Sequence, residues 1–454
     1  MLSWRRGARG GTNTGDILSG VTYSHEPCDD FLRNAVWLSV SQKHGILIFA
    51  KQKGARMKLV DRPRYLERLK GLVGTPDIKV ITGVRRAGKS KLLEAFRDYL
   101  LHEVDGASVI HADLSLLEFE GLTEYHALND YVTTRRLEGA RNFVLIDEAQ
   151  MCVGFERAIN SLHASGDYDI YITGSNAFLL SSDLATLFTG RMVSVDVFPF
   201  SFEEYRSYFE GEHLDDALER YLRVGGMSGG YVYGDERDRH GYLSGVYGTL
   251  ILRDIVQRHG IRNARQLERL SDYMMDNVSN ITSARGVADA LTSAGTKAND
   301  RTISSYMSFL EEAFAFYRVR RYDVRGKRYL SSGDKHYLVD HAFRYAKLGT
   351  RNMDFGRVLE NVVAIELLRR GYETYAGILY EREIDFVAMR GGEKLYIQVS
   401  DDISSPETFR REYSPLLSIR DAHPKMILAR TRHETYTYEG IEVHDLARWL
   451  AKEG

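Results

Sequence analysis

Between the apolar stretches Ile78 to Thr82 and Leu92 to Phe96 the chain reads Gly83-Val84-Arg85-Arg86-Ala87-Gly88-Lys89-Ser90, with the spacing G-x-x-x-x-G-K-S. These residue types at this spacing suit the cradling of phosphate. Glycines let backbone N–H groups turn toward an anion, and a helix opening at the end of the loop presents the positive end of its dipole. The pattern predicts Lys89 on the β and γ phosphates of ATP and Ser90 as a hydroxyl ligand of Mg²⁺. Val84, Arg85, Arg86 and Ala87 fill the loop between the glycines. The two arginines are expected either to touch phosphate or a partner, or to lie in solvent.

A second apolar run, Phe143 to Ile146, ends on Asp147-Glu148. At the carboxyl end of a buried strand Asp147 is placed to complete the Mg²⁺ site, directly or through water. Glu148 is the expected general base for an attacking water, which favours hydrolysis over simple retention of nucleotide. Thr173-Gly174-Ser175-Asn176 ends a further strand, so its polar side chains are expected at the same sheet edge. Asn176 is the first choice for a group facing the γ-phosphate or the water, Ser175 the second, with a polar turn capping the next helix as the alternative. Arg191, after Gly190, is a candidate finger for a neighbouring site or an ordinary surface residue.

The elements that must position these residues are legible as an alternation. Apolar strand candidates at Ile78–Thr82, Ser108–Ala112, Phe143–Ile146, Ile170–Thr173 and Met192–Val197 are separated mostly by helix-like segments. That is the mark of a parallel sheet covered on both faces. The chain of 454 residues has room for two or three domains. Its 43% apolar and 27% charged composition is that of an ordinary folded protein. Cys28 and Cys152 are too few for a disulfide framework and lack the paired spacing of a zinc site, which implies a reducing, cytoplasmic setting. A formal charge of -2 leaves no overall footprint for nucleic acid, so any DNA contact must come from a local basic patch. The best apolar run, Phe31 to Ala50, is broken by Arg33, Gln42, Lys43 and His44, so no membrane partner is expected.

Residues 1–56 form a leader without obvious partner elements, and Met57 opens a more regular stretch. The expected divisions are an ATPase core over 57–200, a helical lid over 201–264, a winged-helix segment over 265–350 and a terminal α/β domain over 351–454. The lid is marked by Phe202, Tyr205, Tyr208 and Phe209 at helical spacing, interrupted by flexible Gly225-Gly226 and Gly229-Gly230 pairs. The basic run Arg318, Arg320, Arg321, Arg325, Lys327 and Arg328 would face DNA from a wing, or form a solvated face.

The motifs around Gly83–Ser90 and Val144–Gln150, the strand end Ile172–Ser175 and the segment Phe198-Pro199-Phe200-Ser201-Phe202-Glu203-Glu204-Tyr205 occur in that order. Together they resemble those of prokaryotic AAA-type ATPases that carry a C-terminal domain of unknown function, over about residues 57 to 450. The resemblance implies an AAA-like core, with Gly83, Gly88, Lys89 and Ser90 as Walker A, Asp147 and Glu148 as Walker B and Ser175-Asn176 at the sensor position. It also implies a winged helix and a terminal domain similar to restriction-type nucleases. In such nucleases the carboxylates of a helix glutamate, a strand aspartate and an E/Q-x-K sequence hold Mg²⁺, and the lysine steadies the nucleophile or the scissile phosphate. Glu360, Asp385 and Gln398 fit the first three places, but Ser400 stands where lysine is expected, with Lys394 nearby as a substitute. A missing cation removes charge stabilisation from a transition state, so the site reads as degenerate.

The expected protein is therefore an α/β P-loop ATPase that uses ATP and Mg²⁺ to switch or move a partner, either DNA, a protein or further copies of itself. The alternatives are an ATP-gated nuclease and a scaffold that holds nucleotide without hydrolysing it.

Overall fold

The computed structural model describes residues 60–174, 188, 190–326, 328–329, 333–349 and 354–452. The leader 1–56, Ser175, Asn176 and Lys327 lie outside the described residues.

A short helix, α1 (Pro63–Lys70), precedes the first sheet. β1 (Ile78–Thr82) runs into the glycine loop, which opens α2 (Lys89–Glu103), and the chain continues through β2 (Ala107–Asp113), α3 (Tyr125–Thr133) and β3 (Arg141–Asp147). Then come α4 (Phe155–Ser165), β4 (Tyr168–Thr173) and β5 (Met192–Asp196). The five strands are parallel and lie in the order β2-β3-β4-β1-β5.

Alternation along each strand explains the two-sided burial. Ile81, Phe143, Leu145 and Tyr171 join Leu92, Leu93 and Phe96 of α2 in one core. Ile78, Val80, Val144, Ile146, Ile170 and Ile172 join Leu128 of α3 and Phe155 and Ile159 of α4 in the other. Because β4 lies between β1 and β3, its carboxyl end falls between the phosphate loop and Asp147-Glu148.

After β5 the chain is helical: α5 (Phe202–Tyr208), α6 (Leu214–Val224) and α7 (Glu236–Thr249), the last continuing into a π-helical turn at Leu250–Gln257. Two glycine pairs expected to be flexible breaks serve close packing here. Gly225 ends α6, and a Cβ there would collide with the Asp340 carboxylate; one on Gly226 would collide with the carbonyl oxygen of Phe200 and one on Gly229 with the Tyr242 hydroxyl.

α8 (Ala264–Asp276), β6 (Ile281–Thr282), α9 (Ala284–Ser293) and α10 (Asp300–Glu312) lead to β7 (Phe316–Asp323), β8 (Arg328–Tyr329) and β9 (Asp334–Leu338). α11 (Ala342–Leu348) and α12 (Phe355–Arg369) follow, then β10 (Glu373–Leu379), β11 (Arg382–Arg390), β12 (Glu393–Ser400), α13 (Pro406–Leu417), β13 (Lys425–Ala429), β14 (Tyr436–Tyr438), β15 (Ile441–Asp445) and α14 (Leu446–Leu450).

The second sheet has the order β14-β15-β13-β12-β11-β10-β7-β9-β6, with β8 paired to β7. β7 is bonded on both edges, antiparallel to β9 and parallel to β10, where Tyr375 faces Arg320 and Gly377 faces Tyr322. The hairpin expected as a wing is thus part of the same sheet as the terminal strands, and that sheet runs across the boundary expected at 350. No helix among the described residues is long and apolar enough to cross a membrane.

Candidate functional site

The glycine loop owes its shape to its neighbours. Gly83 has φ 136 and lies so close to the Val197 backbone that a Cβ would strike the Val197 carbonyl oxygen. Gly88, with φ 94, caps α2 in the left-handed region, where a side chain is strained. Arg86 also has positive φ, 68. Lys89, only 4% exposed, turns back to donate from Nζ to the carbonyl oxygens of Gly83 at 2.9 Å and Val84 at 3.1 Å. Burial pulls its pKa down to about 8, against the opposing charges of Glu148 and Asp147. An ammonium held on two loop carbonyls matches the donor chemistry that nucleotide phosphate requires.

Asp147 is buried, and desolvation raises its pKa while hydroxyl donors from Ser90 and Thr173 oppose that rise. Its carboxylate therefore already joins two oxygens at the first turn of α2 and at the end of β4. The backbone N–H of Glu148 lies 3.1 Å from both Asp147 Oδ1 and Thr173 Oγ1. Glu148 itself is left-handed, φ 53, which turns the chain sharply at the strand end, and its carboxylate accepts from Gln150 Nε2. Ser90, Asp147 and Glu148 thus bring one hydroxyl and two carboxylates to the same sheet edge, oxygen donors of the kind that could hold Mg²⁺.

Thr173 belongs to the polar strand end expected at this edge, where Asn176 and Ser175 are preferred to it, and it is Thr173 that meets Asp147. Its type and its position at the end of an apolar strand were visible, but its contact with Asp147 depends on β4 lying next to β3. Arg191 is exposed, and its carbonyl accepts from Ile78 N at 2.7 Å at the start of β1. It therefore lies at the sheet edge opposite the phosphate loop, away from the site in its own chain. Arg85 meets Asp254 of the π turn, with Nε 3.5 Å from Oδ2.

The second sheet brings Glu360 and Asp385 together and adds Glu383, which sequence reasoning missed. One oxygen of each of these three carboxylates lies within 4.8 Å of the others. Glu383 and Asp385 are two residues apart on β11 and so share a face. Gln398 has a scaffolding role: its Oε1 accepts from Asp385 N at 2.9 Å and its Nε2 donates to Glu412 Oε2 at 3.0 Å. Ser400 turns to the Asp402 carbonyl, and Lys394 Nζ lies 3.3 Å from the Tyr322 hydroxyl, so neither supplies the cation.

A cation reaches these carboxylates from β9 instead: Lys335, 3% exposed, has Nζ 2.8 Å from Glu360 Oε1 and a second ion pair to Glu383. Burial disfavours its charge, yet Glu360, Asp385 and Glu383 together raise its pKa. Asp385 is pushed well above the usual carboxylate range by burial and by Glu360. Tyr337 adds a hydroxyl donated to Glu360 Oε1 at 2.6 Å. The cluster lies in an open cleft of about 850 Å³ whose lining includes Arg357, Arg382, Arg410 and Arg411. In the basic run, Arg318 pairs with Asp334 at 3.3 Å, and Arg325 lies 5.1 Å from the centre of the Tyr380 ring.

Fold and loop together define a P-loop protein with an AAA domain: residues 75–206 match the AAA domain family, and residues 215–354 match a domain of unknown function. The chain is 35% identical over 398 residues to an uncharacterized protein of Haemophilus influenzae, covering 86% of this chain and 98% of that protein. It belongs to the family of that protein. It is also 27% identical over 380 residues to an uncharacterized protein of Methanocaldococcus jannaschii, covering 80% of this chain and 83% of that one. Among solved structures, a Walker-type ATPase of Pyrococcus abyssi aligns over 65% of this chain and 98% of its own, at 18% identity and a TM-score of 0.44. AMPPCP-bound DnaA from Aquifex aeolicus aligns over 55% of this chain and 86% of its own, at 15% identity and a TM-score of 0.28.

Proposed function

We propose that the chain is a Mg²⁺-dependent ATPase that works as a switch on a partner. The observation that carries this reading is the junction of Ser90, Asp147, Thr173 and Glu148 at one sheet edge, beside the buried ammonium of Lys89. In this reading Lys89 leaves the loop carbonyls for the β and γ phosphates, and the loop amides receive the remaining phosphate oxygens. Ser90 and Asp147 hold Mg²⁺, which supplies charge neutralisation on the phosphates. Glu148 takes the proton of the attacking water. Residues 57–200 then form the ATPase core and 201–264 a lid over it, and the second sheet receives the change in nucleotide state through the helices between.

The test is phosphate release by the full chain with Mg²⁺-ATP beside the Glu148→Gln variant, with and without duplex or single-stranded DNA. Turnover that falls about 10²- to 10⁴-fold in the variant supports the ATPase. Stimulation by DNA makes DNA the partner, and DNA-independent turnover favours a protein. A parent that binds ATP without turnover removes the ATPase reading and leaves the scaffold.

A second reading, an ATP-gated nuclease, draws support from Lys335. It provides, from another strand, the cation whose absence at Ser400 made the cluster read as degenerate. Three carboxylates suit a divalent ion, and the arginines of the cleft suit a phosphodiester backbone. Metal-dependent cleavage of DNA lost in both Asp385→Ala and Lys335→Met is the expected result; uncut DNA after long incubation with Mg²⁺ or Mn²⁺ removes this reading.

A further inference from the structure

Along α7 and the π turn the buried positions run Leu243, Val246, Tyr247, Leu250, Ile251, Asp254 and Ile255. Six of these seven are apolar side chains on one helical stripe; Asp254, 7% exposed, is the exception. A carboxylate taken out of water needs a cation or donors in reply. The reply includes Arg85, third residue of the phosphate loop, whose Nε lies 3.5 Å from Asp254 Oδ2. That separation is long for a hydrogen bond and leaves the attraction mainly coulombic. It also engages the stem side of the guanidinium, and neither Nη has a hydrogen-bond partner among the described residues.

Two longer-range charge effects agree with the same helix lying near the loop. Asp254 is one of the negative charges that oppose the fall in the Lys89 pKa, and Arg86 is near enough to Tyr242 of α7 to oppose the rise that burial causes in its phenol. The segment around Asp254 is π-helical, a rare geometry that recurs at functional sites.

We propose that Asp254 is a positioning residue of the nucleotide site, holding Arg85 by Nε so that its two Nη groups meet the terminal phosphate of ATP. Arg85 then stands between two anions, one from the helical segment and one from the nucleotide, and the γ-phosphate strengthens the tie between the 236–257 helix and the loop that Asp254 already makes. This rests on the ATP reading above and adds what it lacks: the residue pair that distinguishes ATP from ADP and the element that responds.

The experiment compares binding of AMP-PNP and ADP, both with Mg²⁺, by calorimetry for the parent, Arg85→Gln, Asp254→Asn, Asp254→Glu and the Arg85→Gln/Asp254→Asn double variant, each checked for folding by circular dichroism. Arg85→Gln and Asp254→Asn are each expected to weaken AMP-PNP about tenfold or more while ADP changes by less than about twofold, the size of a charge-assisted contact. The double variant should bind AMP-PNP no worse than Arg85→Gln alone, because the two residues act as a unit. Asp254→Glu should restore most of the preference. Equal losses for both nucleotides, additive losses, or an unchanged ratio overturn the proposal. If Asp254→Asn does not fold, Arg85→Gln and Asp254→Glu decide the matter by the same ratio. A parent that binds neither nucleotide fails the ATP reading itself, and this proposal falls with it.

Discussion

Arg62 donates from Nη1 to the carbonyl oxygen of Ala87 at 2.8 Å, so a residue ahead of α1 holds the crown of the phosphate loop. The same guanidinium donates to the Phe198 carbonyl at 2.8 Å and forks onto Glu204 at 2.7 and 3.0 Å. Glu204 is itself fixed by a capping box, its Oε2 accepting from Ser201 N while Ser201 Oγ accepts from Glu204 N. Phe198 to Glu204 is thereby bound to the loop it follows by more than a hundred residues.

Replacing Arg62 with methionine leaves the half-buried Glu204 without its cation, together with two carbonyls that lose their donor. Breaking one side of a buried pair costs about 3–5 kcal/mol, and removing both charges costs much less. Arg62→Met is therefore expected to lower the unfolding free energy by about that amount in urea titrations, and Glu204→Gln added to it should recover part of the loss. Equal stabilities for parent and single variant would remove the loop-holding role.

Thr173 offers a subtler test because valine copies its shape. Thr173→Val removes one donor from the Asp147 carboxylate and one acceptor from Glu148 N–H, in a buried place where an unmet polar group costs about 1–3 kcal/mol. With one hydroxyl fewer, the Asp147 pKa rises further, so Mg²⁺ must compete with a proton over more of the acid range. The expected result is a higher Mg²⁺ requirement for nucleotide binding, most marked at the lower pH values, with turnover falling more than ATP affinity.

How much of this could be read in the chain varies with the range of the interaction. β1 lies at Ile78–Thr82 as its apolar run predicts, and Ile303, Tyr306, Met307 and Leu310 mark a helix that extends over Asp300–Glu312. Such elements are written in local periodicity. α13 was not foreseen, although Ser405 before Pro406 supplies the capping residue and first-turn proline of a helix start. What local pattern cannot contain is strand order. That β4 sits between β1 and β3, and β7 against β10, follows only from pairing in space. Thr173 and Lys335 acquire their roles through those pairings, which is why Ser400 and Lys394 drew attention and Lys335 did not. Asp254 was findable, as an acid on an apolar stripe, and Glu383 as the alternate residue to Asp385.

The Lys89 ammonium, with a pKa of about 8 in the nucleotide-free loop, makes binding depend on pH. Lysine in water titrates near 10.4, so its folded value is depressed, and between about 8 and 10.4 the unfolded chain holds a proton that the folded chain has released. Over that window the burial cost relaxes and stability rises with pH. Nucleotide affinity moves the other way. Phosphates favour the charged lysine, so affinity is full below about pH 8 and declines as the pH rises through it, with proton uptake on binding. Calorimetry in buffers of different ionisation heat measures that uptake. Lys89→Arg, which keeps its charge throughout, should show none; an equal uptake in both proteins would place the titrating group elsewhere.

Lys335 poses the sharpest question about the second sheet. Its ammonium sits against Glu360 and Glu383, with Asp385 beside them, and its charge opposes the rise in the pKa values of Glu360 and Asp385 that burial causes. In Lys335→Met that opposition is gone and both pKa values climb further above those of the unfolded chain, about 4. A carboxyl whose folded pKa is raised keeps its proton longer than the unfolded chain does, so stability falls as pH rises from the unfolded value through the folded one. The variant is thus expected to be near the parent in melting temperature in acid and well below it at pH 7, by an amount equivalent to about 3–5 kcal/mol. If three carboxylates at this spacing can take a divalent ion in place of the ammonium, Mn²⁺ or Mg²⁺ should raise the melting temperature of Lys335→Met more than that of the parent. A variant whose deficit is independent of both pH and metal would show that Lys335 only fills space.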